Sequence, residues 1–314
     1  MSLVETFCLG ELKVSEGKAE YKPLNSPIKW VGGKSRLRKY IVPLIPSHTC
    51  FVDLFAGGGW VLFGKPKSEV EVLNDFDEEL INFFRVVKYK PEELIESFDL
   101  ELVSRSEFNR LASLDTKQLT NIERAHRFYY IIMAGWGGEL GYPRFQTSIT
   151  DGGNGNRLFG AIKHLRERIA PIHERLSTVI IENLRWQDCF QRYDSPKTVF
   201  YVDPPYPENK TNYNHNMREW NLHHELYDAL KQAKGKWIIS SYDIPEIHDL
   251  FRSENYEIVP IQSSSGMKAS KTSNTRKKNL EVLILNFKSQ NLLPGIDVHI
   301  REKSRSKAKQ PSML

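Results

Sequence analysis

Asp203-Pro204-Pro205-Tyr206 is the tetrapeptide in this 314-residue chain whose residue types point most directly to chemistry. It follows the apolar run TVFYV, and the carboxyl end of such a strand is where open α/β sheets place their ligands. An amine conjugated to a heteroaromatic ring is a poor nucleophile because its lone pair is delocalised. A carboxylate at Asp203 and a rigidly aimed backbone carbonyl can accept both of its N–H bonds and draw the nitrogen toward sp³. Pro204 and Pro205 hold φ near about −65° and remove backbone donors that would compete for the site. Tyr206 offers a flat face on which an extruded base can stack. A simple strand-end turn is the alternative. A chance match in a chain of this length has odds on the order of one in a thousand, so the surrounding motifs decide.

Two other stretches could hold a ligand beside it. FVDLFAGGG at 51–59 is a short apolar strand followed by a glycine turn, and glycines let a backbone approach a bulky ligand closely. The turn lacks the G-x-G-x-x-G of dinucleotide enzymes, since Leu62 stands where the third glycine would be. Asp75 ends the next strand-like run, EVEVLN, where an acidic residue can accept from ribose hydroxyls. It could equally be a helix cap, because Asp75 and Asp77 precede the helical pattern DEELINFF. His223-His224-Glu225 does not form H-E-x-x-H, there is no P-C-x-x-C partner, and both histidines are expected to be surface or cap residues. No metal site is expected.

The elements that must position these residues alternate strand and helix. A turn at 26–34 leads into a helix through Arg36 to Val42; the strands at 50–55 and 69–74 follow, with helices after each. From about 91 to 181 the texture is helical (PEELIESF, SEFNRLASL, NIERAHRFYYIIM), then rich in glycine and aromatic residues, then helical again over LFGAIKHLRERIAPIHERL. Parallel strands return with TVIIENL, TVFYV, KWIISSY and EVLILNF. This is an α/β chain with a doubly wound, Rossmann-like sheet and a mostly helical insertion. The expected division is 26–85 with 186–288 as the main domain, 86–185 as the insertion, and 1–25 and 289–314 as irregular ends.

Bulk properties fit an intracellular, core-forming protein. With 40% hydrophobic residues the chain can bury a sizeable core, and no apolar run approaches the ~20 residues of a membrane span. Cys8, Cys50 and Cys189 are scattered, so reduced thiols in a cytoplasmic compartment are expected. The net charge of +5 is concentrated: Lys268, Lys271, Arg276, Lys277 and Lys278 fall together, and the tail REKSRSKAKQ is basic again. Such runs suit a phosphate backbone, although a solvated tail reads the same way.

Taken in order, the motifs resemble the Dam-like family of adenine-N6 DNA methyltransferases. The resemblance covers roughly 27–287. It rests on K-W-x-G-G-K at 29–34, F-V-D-L-F-A-G-G-G at 51–59, N-D-F-D-E-E-L-I-N at 74–82, D-P-P-Y at 203–206, H-x-E-L-Y-D-A-L-K at 223–231 and S-S-Y-D-I-P-E-I at 240–247. It implies S-adenosylmethionine as cofactor, double-stranded DNA as substrate, base flipping, and a cognate restriction endonuclease acting separately as partner.

For the residues, the resemblance implies Asp203, Pro204 and Tyr206 in catalysis. Trp30 and Lys34 would meet the cofactor's methionine end, Lys34 at its carboxylate. Asp53, Phe55, Gly57 and Gly59 would shape the pocket, with Asp203 at its edge, and Asp75 would take the ribose. Asp188 matches the acceptor of the adenine amino group. Apart from the resemblance, the glycine-rich, aromatic composition of 135–145 places sequence reading at Trp136, Tyr142, Arg144 and Phe145, and the basic cluster puts Lys277 and Lys278 on phosphates. The family's recognition motif is replaced by Tyr142-Pro143-Arg144-Phe145, so the target sequence need not be GATC. Cytosine-N4 methylation is the nearest alternative, although such enzymes usually carry Ser in place of Asp203. RNA methylation, a catalytically inactive DNA-binding protein and a nicotinamide oxidoreductase are further alternatives.

Overall fold

The computed structural model describes residues 21–135, 143–146, 156–207, 217–253, 255–264 and 278–289. Its strands are β1 (Cys50–Asp53), β2 (Val70–Asn74), β3 (Val179–Glu182), β4 (Thr198–Val202), β5 (Lys236–Tyr242), β6 (Glu257–Ser264) and β7 (Lys278–Leu285). The helices begin with α1 (Arg38–Ile41), α2 (Trp60–Gly64), α3 (Glu78–Tyr89), α4 (Pro91–Glu96), α5 (Arg105–Ser113) and α6 (Asn121–Ala134). They continue with α7 (Arg157–Lys163), α8 (Leu165–Leu176), α9 (Trp186–Tyr193), α10 (Trp220–Lys231) and α11 (Pro245–Leu250). None is long and apolar enough to cross a membrane.

The strands form one seven-stranded sheet in the order β3-β2-β1-β4-β5-β7-β6. The first five run parallel, so the doubly wound α/β reading holds. EVLILNF departs from the parallel expectation: β7 runs antiparallel to both β5 and β6. Its partner β6 did not read as a strand, because Pro260 lies within it and cannot donate to a ladder. At the sheet edge that loss is tolerated.

Strand alternation divides the core into two layers. Phe51, Leu73, Val199, Tyr201 and Ile238 face one way, into a core shared with α3, α6 and α8. Val52, Val72, Phe200, Val202, Trp237 and Ile239 face the other, toward α9, α10 and α11. A period of two sends neighbouring apolar residues to opposite faces, and both faces are covered, so most strand positions on either face are apolar.

The stretch 86–185 holds α4 to α8 and also β3, which pairs with β2. α6 packs on α3, and its start is fixed by a capping box in which Thr120 accepts from the Glu123 N–H and Glu123 accepts from Thr120. The run LFGAIKHLRERIAPIHERL is two helices rather than one. At His164 the backbone sits at φ −114°, ψ 29°, outside the α region, which ends the first helix, and Leu165 and Ile169 of the second are buried in the core.

Candidate active site

The site gathers at the carboxyl ends of β1, β2, β4 and β5. β1 ends in Asp53, almost completely buried. The glycine turn follows, with Gly57 and Gly59 at positive φ (49° and 68°), a conformation that L side chains rarely adopt. A Cβ on Gly57 would lie 2.7 Å from the Trp30 ring, so Trp30 is seated directly on the turn. Trp30 in turn stacks on Phe128 of α6 at 6.3 Å. Phe55, half-buried, points into the other layer and packs with the α9–α11 core.

Asp75 extends from the end of β2 over the same turn. One carboxylate oxygen accepts from the Gly57 N–H at 2.8 Å, the other from the Asp77 N–H at 3.0 Å. The helix cap falls to Asp77, whose side chain accepts from the N–H groups of Glu79 and Leu80 at the start of α3. Asp75 is therefore left to face the turn. Burial pushes its carboxyl up to about 6, against the pull of those backbone N–H groups.

Asn74 is a residue the sequence motifs contained but did not single out. Its amide donates to the Leu54 and Leu184 carbonyls (3.0 and 3.3 Å) and accepts from the Leu184 N–H. Asn183 adds a bond to the Asp75 carbonyl at 2.9 Å. These bonds tie the rims of β1, β2 and β3 into one unit and carry the chain into α9. Asp188 sits in the first turn of α9, half-buried and ion-paired to Arg185 at 2.9 Å.

Asp203 lies just past β4. Lys34 approaches it at 2.9 Å, and the Lys34 ammonium also donates to the Gly32 carbonyl at 3.2 Å. Burial raises the Asp203 carboxyl to about 6, although Lys34 pulls it down. Asp53 is raised well above the usual carboxylate range, first by burial and then by the neighbouring charges of Asp203 and Asp75. Tyr206 is buried, with the Lys34 ammonium over its ring at 4.8 Å and Tyr242 edge-on at 4.5 Å. Its hydroxyl donates to Glu281 at 2.9 Å. Glu281 was hidden in the apolar run EVLILNF. The antiparallel course of β7 sets it opposite Tyr242, at the end of β5.

The other expected positions are spread wider. Gly135 and Phe145 form an isolated antiparallel bridge, and Asn156 clasps both sides by donating to the Ala134 and Gln146 carbonyls at 2.9 and 2.7 Å. Arg144 is exposed on this base, whereas Phe145 packs edge-on against Phe108 with Arg105 over its ring. Trp136, Tyr142 and Lys277 lie outside the described residues, as does the side chain of Lys278. His224 is exposed as expected, but His223 is fully buried: its ring contacts the Met217 carbonyl at 2.6 Å and anchors the segment ahead of α10.

The type II methyltransferase M1.LlaDCHI of Lactococcus lactis subsp. cremoris is 27% identical over 82% of this chain and 94% of its own length. The DNA adenine methylase of Escherichia coli K12 is 25% identical over 82% of this chain and 94% of its own. The type II methyltransferase M.CviBI of Paramecium bursaria Chlorella virus NC1A is 26% identical over 73% of this chain and 88% of its own. Adenine is thereby favoured over cytosine-N4 as the methylated base, in keeping with Asp at position 203. Residues 30–267, from Trp30 past the whole D-P-P-Y site, match the model of one family, and the chain belongs to it: the D12 class of N6 adenine-specific DNA methyltransferases.

Proposed function

We propose that this site-specific adenine methyltransferase uses S-adenosylmethionine, held across the glycine turn, to methylate an adenine turned out of duplex DNA. The observation that carries the reading is the convergence of Asp53, Asp75 and Asp203 on one rim, their carboxyls all raised. Burial is the first cause in each case, and a positively charged sulfonium beside them would favour their ionised forms, while the Asp75 carboxylate would take ribose hydroxyls. When bound, the cofactor would supply an electrophilic methyl group to the amine nitrogen that Asp203 and the Pro204 carbonyl hold. Asp203 accepts one N–H of the target amine and the Pro204 carbonyl the other. The proton shed by the methylated nitrogen passes to Asp203 and then to solvent. Trp30, Gly57 and Gly59 shape the pocket, with Phe55 supporting it from the α9–α11 layer, Lys34 meets the methionine carboxylate, and Asp188 accepts from the amino group of the cofactor's own adenine. The buried Tyr206 face becomes a platform for the base once Lys34 withdraws from it.

Asp75→Ala tests the cofactor assignment. Loss of hydrogen bonds to a charged acceptor should weaken S-adenosylmethionine binding by roughly 1.5–3 kcal/mol. Because Asp77 holds the α3 cap, the melting temperature should barely move. Calorimetry on the purified protein checks this, and an unchanged dissociation constant would remove Asp75 from the site.

Recognition is assigned to the segment built on the Gly135–Phe145 bridge, with Arg144 as its forked donor and Trp136, Tyr142 and Phe145 as its flat faces. Lys277 and Lys278 would meet phosphates. Arg144→Ala should lower activity on the preferred site far more than on sites changed at one base, since an Arg–guanine pair contributes ~1–3 kcal/mol of discrimination. A uniform loss on every duplex would place recognition elsewhere. The enzyme would act in the cytoplasm, on the nucleoid, with a restriction endonuclease as a separate partner.

A further inference from the structure

We propose that Glu281 is a positioning residue for methyl transfer: it fixes the Tyr206 ring and serves as the alternative counter-ion of Lys34, freeing Asp203 to accept the target amine. The proposal rests on the assignment of Asp203 as that acceptor. Glu281 belongs to none of the motifs that carry the resemblance, and it stands in an apolar strand whose neighbours Val282, Leu283, Ile284 and Leu285 are all buried. A carboxylate in that company needs partners, and it has them in the site. The Tyr206 hydroxyl donates to Glu281 Oε2 at 2.9 Å, and the Lys34 ammonium lies 3.7 Å from the same oxygen.

Lys34 thus sits between two carboxylates, closer to Asp203 (2.9 Å) than to Glu281. All three side chains are largely shielded from water, at 8%, 16% and 14% exposure for Lys34, Asp203 and Glu281. Shielding strengthens a charge pair, so with Asp203 as its sole protein counter-ion the ammonium would hold that carboxylate closed even while it also donates to the cofactor's methionine carboxylate. With Glu281 present, a short swing of Lys34 exchanges one carboxylate for the other. The swing releases a carboxylate oxygen of Asp203 while the ammonium stays paired. The bond from Tyr206 to Glu281 keeps the ring in place meanwhile.

The groups acting on Asp203 are Lys34, Glu281, Tyr206, Tyr201 and Asp53, and the negative charge of Glu281 raises its carboxyl. Glu281→Gln keeps an acceptor for Tyr206 but removes that charge; Glu281→Ala removes both. The test compares both variants with the unaltered enzyme and with Asp203→Ala. Single-turnover methylation of duplex DNA is measured across pH, alongside ¹³C NMR titration of the Asp203 carboxyl in the protein without cofactor or DNA.

Both Glu281 variants should slow transfer by about tenfold or more at little change in KM for DNA. The Asp203 titration, about 6 in the unaltered protein, should move to lower pH in both readouts. Glu281→Gln should keep its melting temperature without recovering the rate, which a purely structural role would not produce. Normal turnover of Glu281→Gln with an unmoved Asp203 titration would overturn the proposal. If Asp203→Ala is inactive in that case, only the role of Glu281 fails; if Asp203→Ala also turns over normally, the assignment of Asp203 fails with it.

Discussion

Asp203→Ala should reduce methyl transfer by at least ~10²–10³, the range seen when one preorganised partner of a reacting group is deleted. The loss belongs to the chemical step. Asp203 follows a buried strand and precedes two prolines, so its carboxylate is aimed before any substrate arrives. Removing it leaves the amine lone pair in the ring, where it is a poor nucleophile. The fold should survive, because the Lys34 ammonium that pairs with Asp203 has Glu281 within 3.7 Å and is not orphaned. DNA binding should persist as well. Single-turnover rates with a melting curve separate these effects, and near-normal turnover would exclude Asp203 from catalysis.

Glu71→Ala should have the largest effect on stability. Glu71, on β2, is buried between Lys65 (2.6 Å) and Arg175 of α8, which reaches it with two guanidinium nitrogens. Arg175 also donates to the Leu62 carbonyl at 3.0 Å, and Lys65 to Ser68 Oγ at 2.6 Å. Truncating Glu71 would leave two buried cations without their carboxylate, a change that costs about 3–5 kcal/mol. Burial alone would raise the Glu71 carboxyl, but Arg175 and Lys65 outweigh it and hold the group below its usual 4.5. Its stabilising contribution is therefore full above that value and fades as pH falls through the lower folded one. Denaturant unfolding at neutral pH checks the magnitude, and a loss under about 1 kcal/mol would contradict the reading of this cluster.

Local sequence carried much of the site. Asp53, Asp75 and Asp203 each lie at or just past the end of a strand, and the sheet brings those ends together because parallel strands share a direction. The glycine turn was legible for the same reason, since Gly57 and Gly59 need a backbone that other residues avoid. What local reading missed depends on partners distant in sequence. Glu281 looks like an ordinary strand residue until the antiparallel course of β7 sets it beside Tyr242. β6 was obscured by Pro260, permitted only because the strand is an edge. His223 appeared to belong on a surface, yet the chain ahead of α10 folds over it and supplies a carbonyl. Between Asp75 and Asp77, the sequence could not decide which capped α3; the backbone N–H groups of Glu79 and Leu80 choose Asp77.

The most direct test of the central claim is the identity of the methylated base. Purified protein is incubated with unmethylated duplex DNA and S-adenosylmethionine, and the DNA is digested to nucleosides for mass spectrometry. N6-methyladenine should appear as the methylated nucleoside and be absent with Asp203→Ala. Formation of N4-methylcytosine in its place, or of N6-methyladenine at an undiminished rate by Asp203→Ala, would contradict the account.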